Sequence, residues 1–120
     1  MPKHHFEIIG DLEPGGEEFD CALHIARLPQ VETWVRNTDR QKGSFWLQTS
    51  SDKFYPDFVA RLSDGRILVV EYKGALERRE DTEEKAFIGD IWADASSDPR
   101  CLFVMCKDKD YLAIDRAIAK

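Results

Sequence analysis

Cysteine and histidine are scarce in this 120-residue chain, three of each, and no two cysteines form a C-x-x-C pair. Cys21, Cys101 and Cys106 make an odd set, which argues against a disulfide framework. His4, His5 and His24 lie far in sequence from the last two, so a structural zinc site is not expected. The three thiols read as small buried apolar groups. Long apolar runs are also missing: stretches such as Ile67-Leu68-Val69-Val70 fall far short of the roughly 20 residues that cross a bilayer. Residues 1–12 scatter His4, His5, Glu7 and Asp11 among apolar side chains, unlike a secretory signal. A cytoplasmic location without a membrane partner is expected.

An excess of positive charge is absent as well. Seventeen basic residues against 23 acidic ones give a net charge of −6, which argues against a general phosphate-binding surface. It leaves open a site of carboxylates that a divalent cation neutralises. There is no internal repeat, low-complexity tract, linker or G-x-x-x-x-G-K-[ST] phosphate loop. What is present, 42% hydrophobic and 33% charged residues, is ordinary for a globular domain and excludes collagen-like, mucin-like and wholly disordered classes. One domain over 1–120 is expected, with 1–16 an irregular entry around Gly10 and Pro14-Gly15-Gly16.

From Glu17 the run EEFDCALHIARL places Phe19, Ala22, Leu23, Ile25, Ala26 and Leu28 at helical spacing, with acidic residues in the first turn and Pro29 as a stop. Strands are expected over 31–37, 44–49, 54–62 and 66–73, the last two joined around Ser63-Asp64-Gly65. A long helix over 76–95 carries an apolar stripe of Phe87, Ile88, Ile91, Trp92 and Ala95. A buried strand over 101–106 and a helix over 111–119 complete an α/β domain, an antiparallel meander followed by a parallel crossover.

The hairpin is the unusual element. Asp57 sits among Phe54, Tyr55, Pro56, Phe58 and Val59, and Glu71 and Lys73 close an otherwise apolar strand. Alternation puts Glu71 and Lys73 on one face. A two-residue loop would set Asp57 opposite Tyr72 instead of Glu71. A three-residue loop with Gly65 left-handed pairs Leu62 with Arg66 and brings Asp57 opposite Glu71, and this is the expected turn. Two adjacent carboxylates repel unless a cation joins them, and their hard oxygens suit Mg²⁺ or Mn²⁺. Lys73 is then placed to orient a water or to stabilise charge on a phosphate. The competing reading is a solvated Glu–Lys pair at a strand end with an unrelated edge Asp.

The run FYPDF…RILVVEYKG, with Pro56-Asp57 followed by Glu71-Tyr72-Lys73, resembles the PD-(D/E)xK nuclease superfamily. With VETWVRN, SFWLQTSSDKFYPDFVARLSDGRILVVEYKG and the following EEK and IWAD, it is similar to the C-terminal endonuclease domain of type III restriction enzyme Res subunits and related DEAD/DEAH-box helicase-like proteins. The resemblance runs from about Phe6 to Asp110. It implies a restriction-endonuclease-like core, α-β-β-β-α-β with a mixed sheet flanked by helices. It also implies a metal held by Asp57, Glu71 and the Tyr72 carbonyl, with Lys73 assisting the attacking water. Glu18, or alternatively Glu17, would support the metal from the first helix, and Lys85 would occupy a basic position facing phosphate.

Arg36, Asn37, Arg40 and Lys42 form a modest basic loop that could meet a nucleic-acid backbone, and Trp34, Trp46 and Trp92 either stack on bases or fill the core. The resemblance implies DNA as substrate, an attached or associated helicase-type ATPase motor, and a modification subunit. The chain is either a domain excised from such an assembly or a stand-alone relative. The contrasting expectation is a nuclease-fold module that binds DNA or protein without cutting.

Overall fold

The acidic start of the first helix matches its dipole. The computed structural model describes residues 16–37, 45–48, 53–73, 79–97, 99–107 and 109–119. In it Glu17–Arg27 form α1, with Glu17, Glu18 and Asp20 in the first turn and His24 and Arg27 in the last. Leu28 turns extended, as the residue before a proline prefers, and the helix ends there. The entry over 1–15, with His4 and His5, and the loop residues Arg40 and Lys42 lie outside the described residues.

After α1 come β1 (Val31–Arg36), β2 (Leu47–Gln48), β3 (Lys53–Phe54), β4 (Phe58–Leu62), β5 (Ile67–Lys73), α2 (Arg79–Ala95), β6 (Cys101–Lys107) and α3 (Leu112–Ile118). Four strands form one sheet in the order β1-β4-β5-β6, while β2 and β3 make a separate antiparallel ribbon. β1 with β4 and β4 with β5 are antiparallel, and β5 with β6, joined through α2, is parallel. This is a mixed central sheet flanked by helices. The expected strand over 54–62 is split, because Pro56 lacks the N–H that a continuous ladder needs.

One face of the sheet presents Phe58, Ala60, Leu68, Val70, Tyr72, Val104 and Cys106 to Cys21, Ala22 and Ile25 of α1 and to Ile114 and Ile118 of α3. Burying a side chain such as Phe58, Leu68 or Ile25 contributes about 1.5–3 kcal/mol against the entropy of ordering it. All three cysteines are buried, as their apolar reading expects. His24 Nε2 meets Asp115 Oδ1 at 2.5 Å and ties α1 to α3.

The opposite face holds α2, and here the expected stripe is corrected. Phe87 is 65% exposed and Ile91 52%, while Thr82, Gly89 and Ala93 are buried. The reason lies in β6. Phe103 fills the space under α2 and leaves room only for a glycine above its ring. Phe87, Ile91 and Ala95 of the stripe therefore turn outward, Ile88 and Trp92 stay half-buried, and small residues face the sheet.

The β4–β5 hairpin has the expected three-residue loop. Leu62 N–H donates to Arg66 O at 2.9 Å, Gly65 N–H donates to Leu62 O at 3.0 Å, and Gly65 adopts φ +94°. Register partners run from Arg61 with Ile67 to Phe58 with Val70. Asp64 accepts from the Arg66 backbone N–H at 3.1 Å and from Arg66 Nε at 2.8 Å, and that backbone bond leads in holding its carboxyl below the ordinary value. Arg66 also reaches Ile118 O at 2.9 Å, so the hairpin tip is anchored to α3.

Replacing Gly89 by Ala tests the packing beneath α2. Helix propensity favours the change by about 1 kcal/mol, but the added Cβ would lie 2.4 Å from the Phe103 ring. Overpacking of this kind costs about 1–3 kcal/mol. Urea denaturation should show a net loss of stability, and the loss should shrink in a Phe103→Leu background.

Candidate functional site

The chemistry-bearing residues gather where the hairpin ladder runs out. β4 starts at Phe58, paired with Val70, so Asp57 and Glu71 are the next pair in the same register. There the side chains take over from backbone pairing. Asp57 N–H donates to Glu71 Oε1 at 3.2 Å, and Tyr72 N–H donates to Asp57 Oδ2 at 2.7 Å. Each carboxylate thus holds the other strand's main chain. Glu71 is only 5% exposed, within a strand whose Leu68, Val69 and Val70 are fully buried.

Alternation along β5 puts Glu71 and Lys73 on the α2 side with Val69, while Tyr72 faces the α1–α3 layer. Lys73 is half-buried at the strand end. From α2, Lys85 brings its Nζ to 3.6 Å from Glu71 Oε2 and 5.1 Å from the centre of the Phe54 ring. A buried carboxylate needs a cation nearby, and an ammonium takes that place. A residue that sequence reasoning passed over also belongs here. Parallel pairing sets Lys107 beside Lys73, and no local pattern signals that, because it depends on the β5–β6 register.

The first helix reaches the site through its first turn. Glu17 accepts a hydrogen bond from the Tyr72 hydroxyl, and Lys109 N–H donates to the same hydroxyl at 3.3 Å. Burial first, and then the Glu17 contact, pushes the Tyr72 phenol above its ordinary value. Glu18 lies 3.9 Å from Arg36 Nε, a loose ion pair. Cys21, on the same helix, is fully buried. Its thiol is driven upward by its hydrogen bond to Cys106, by burial, and by the negative fields of Asp57 and Glu18. The residues expected to meet nucleic acid divide: Arg36 faces Glu18, and Asn37 bonds only to main chain among its described hydrogen bonds. Trp34 is buried against Phe58, and Trp92 packs 5.1 Å from Phe45. Trp46 is 42% exposed with Lys53 Nζ 4.5 Å above its ring.

No protein-family model matches this chain, and no curated protein or solved structure matches it. Its own donor set is therefore what speaks for a ligand. Among the described residues no three His, Cys, Asp or Glu side chains are grouped as a metal site, and Glu18 does not form such a group with Asp57 and Glu71. Two carboxylates do converge. Because a strand residue points its N–H and C=O to the same edge, the Tyr72 carbonyl faces the Asp57 side as its N–H does. Two carboxylates and a carbonyl are hard oxygen donors of the kind that suits Mg²⁺ or Mn²⁺ with water completing the shell. On that chemistry the residues fit such an ion.

The Glu71–Lys85 pair can be weighed directly. Lys85→Met should cost about 1–2 kcal/mol, since it leaves a buried carboxylate short of a cation. Combining it with Glu71→Gln should cost less than the two single losses added together. Chemical denaturation of the four proteins gives this cycle, and strict additivity would mean that the pair is not coupled.

Proposed function

We propose that this chain is a metal-dependent nuclease domain that hydrolyses DNA phosphodiesters on a restriction-endonuclease-like core. The observation that carries this reading is the hairpin register, which sets Asp57 opposite Glu71 with Lys73 on the Glu71 face. Asp57, Glu71 and the Tyr72 carbonyl would hold Mg²⁺ or Mn²⁺. Bound there, the ion supplies Lewis acidity and a water of lowered pKa.

The protein's own groups do the rest. Lys73 orients the attacking water and stabilises negative charge growing on the phosphate. Water oxygen bonds to phosphorus as the ester P–O bond breaks, leaving a phosphate monoester on one strand end and a hydroxyl on the other. Lys85 and Lys107 flank that face as cations for the phosphate, and Glu17 and Tyr72 hold α1 against β5 beneath it. Glu18, 3.9 Å from Arg36 Nε in the first turn of α1, is the helix carboxylate that would support the cluster. With a net charge of −6, the domain by itself binds DNA weakly. A helicase-type motor and a modification subunit in a cytoplasmic assembly would provide the affinity and target choice that it lacks.

A second reading has its own support. The two carboxylates already hold backbone N–H groups and Lys85 already accompanies Glu71, so the fold is satisfied as it stands. That suits a nuclease-fold module that binds DNA or protein without cutting.

Calorimetric titration with Mn²⁺ separates the two. Wild type should bind, and Asp57→Asn should bind at least about 10-fold more weakly while keeping its fold, because the amide oxygen still accepts from Tyr72 N–H. In cleavage assays on duplex and branched DNA, Glu71→Gln and Lys73→Met should lose about 10²- to 10³-fold in rate. No Mn²⁺ uptake and no cleavage by wild type would reject the nuclease reading in favour of the non-cutting module.

A further inference from the structure

The strand that supplies neither carboxylate determines where one of them points. β1 ends at Arg36, and the next residue, Asn37, lies at the side of the Pro56-Asp57 segment. Its side-chain amide donates to Pro56 O at 2.9 Å and to Phe45 O at 2.7 Å, and its side-chain oxygen accepts from Phe45 N–H at 2.9 Å. Its own backbone N–H donates to Asp57 O at 2.7 Å. Carbonyl partners require the NH₂ on one side and the Phe45 N–H requires the oxygen on the other, so the amide has a single orientation.

These bonds act on both peptide planes that flank the Asp57 Cα. The plane before it, Pro56 to Asp57, is held by Asn37 Nδ2 at the carbonyl and by Glu71 Oε1 at the N–H. The plane after it is held at the Asp57 carbonyl by the Asn37 N–H. With both planes fixed, the direction of the Asp57 Cα–Cβ bond is fixed as well, and the carboxylate meets Tyr72 N–H. β4 does not do this, because Asp57 precedes it and Pro56 has no N–H. The Asn37 backbone bond extends the β1 side by one residue and survives substitution, so the side chain's own share is its hold on the Pro56 carbonyl and on Phe45. Few side chains can replace Asn37. An Asp lacks the donors, and a Ser offers one donor where two carbonyls wait.

We infer that Asn37 is a positioning residue that aims the Asp57 carboxylate, and not a contact to nucleic acid. The inference rests on the nuclease reading, in which Asp57 holds the ion. Asn37 then works only through Asp57, and this gives it a signature that loss of stability alone would not produce.

The test is Mn²⁺ calorimetry on the full chain for wild type, Asn37→Ala, Asn37→Asp, Asp57→Asn and the double variant Asn37→Ala/Asp57→Asn. Thermal melts confirm folding, and Ala117→Gly on α3, beside Cys101 and Leu102 at the opposite end of the sheet, serves as a destabilised control. Mn²⁺ affinity should fall about 10- to 100-fold in Asn37→Ala, fall also in Asn37→Asp, and stay at the wild-type value in Ala117→Gly. The double variant should bind no more weakly than Asp57→Asn. Affinity for a fluorescent DNA duplex in the absence of divalent ions should be unchanged in Asn37→Ala, the variant that alters no charge. Wild-type Mn²⁺ affinity in folded Asn37→Ala and Asn37→Asp would overturn positioning and leave the nuclease reading standing. Loss of duplex binding with Mn²⁺ affinity intact would make Asn37 a nucleic-acid contact instead. A wild type that takes up no Mn²⁺ overturns the nuclease reading and this inference with it.

Discussion

Everything at the site depends on one reciprocal exchange, in which Glu71 accepts the Asp57 N–H and Asp57 accepts the Tyr72 N–H. Two strands that would otherwise separate after Phe58 and Val70 stay together for one more residue pair because carboxylates stand in for carbonyls. That exchange requires the register, and the register comes from a left-handed glycine at the far end of the hairpin. A slip of one residue would send Asp57 to the α1–α3 layer, burying a charge near Val70 and Ile25 while turning Phe58 out of the core. The apolar core and the polar pair thus enforce the same alignment.

The sheet divides its work between its faces. The α1–α3 side is a dense apolar layer, closed at its edge by Tyr72, Glu17 and Tyr111, whose hydroxyl donates to Glu17 O at 3.0 Å. The α2 side is thinner, with Gly89 against Phe103, and it admits Glu71, Lys73 and Lys85 at the end where the core stops. Charge is accommodated at strand ends because there the side chains can reach both a partner and water. A similar group halfway along β5, at Val69, would have neither.

Much of this could be read in the chain, and the rest fails for identifiable reasons. The helix from Glu17, the three-residue turn and the parallel return to β6 follow from local signals: an acidic first turn before a proline stop, a glycine needing positive φ, and a breaker before an apolar run. Pro56 is visible in the chain, but the apolar residues around it read as one strand, and its missing N–H divides them. Periodicity along α2 reveals a stripe without saying which neighbour it meets, and Phe103 decided that from another strand. Lys107 and the true partners of Asn37 were illegible because each depends on residues brought near only by folding. The pair Asp57 and Glu71 was readable because one short turn sets it. Glu18 was harder, since adjacent positions on a helix differ by about 100° in direction, and the neighbours Tyr72 and Arg36 sort Glu17 from Glu18.

The way the carboxylates are satisfied has an evolutionary side. Each accepts a main-chain hydrogen through one oxygen, and an amide of the same shape offers that oxygen equally well. Substituting one atom in either side chain therefore removes the negative charge and keeps the backbone bond, although at Glu71 it also gives up the Lys85 pair. Under the proposed nuclease reading, descendants of such a chain could fall silent in chemistry while surviving selection for solubility and folding, and they would differ from active siblings by a single nitrogen. In a lineage of this design, loss of activity would precede loss of structure, leaving intact scaffolds free to acquire new binding duties.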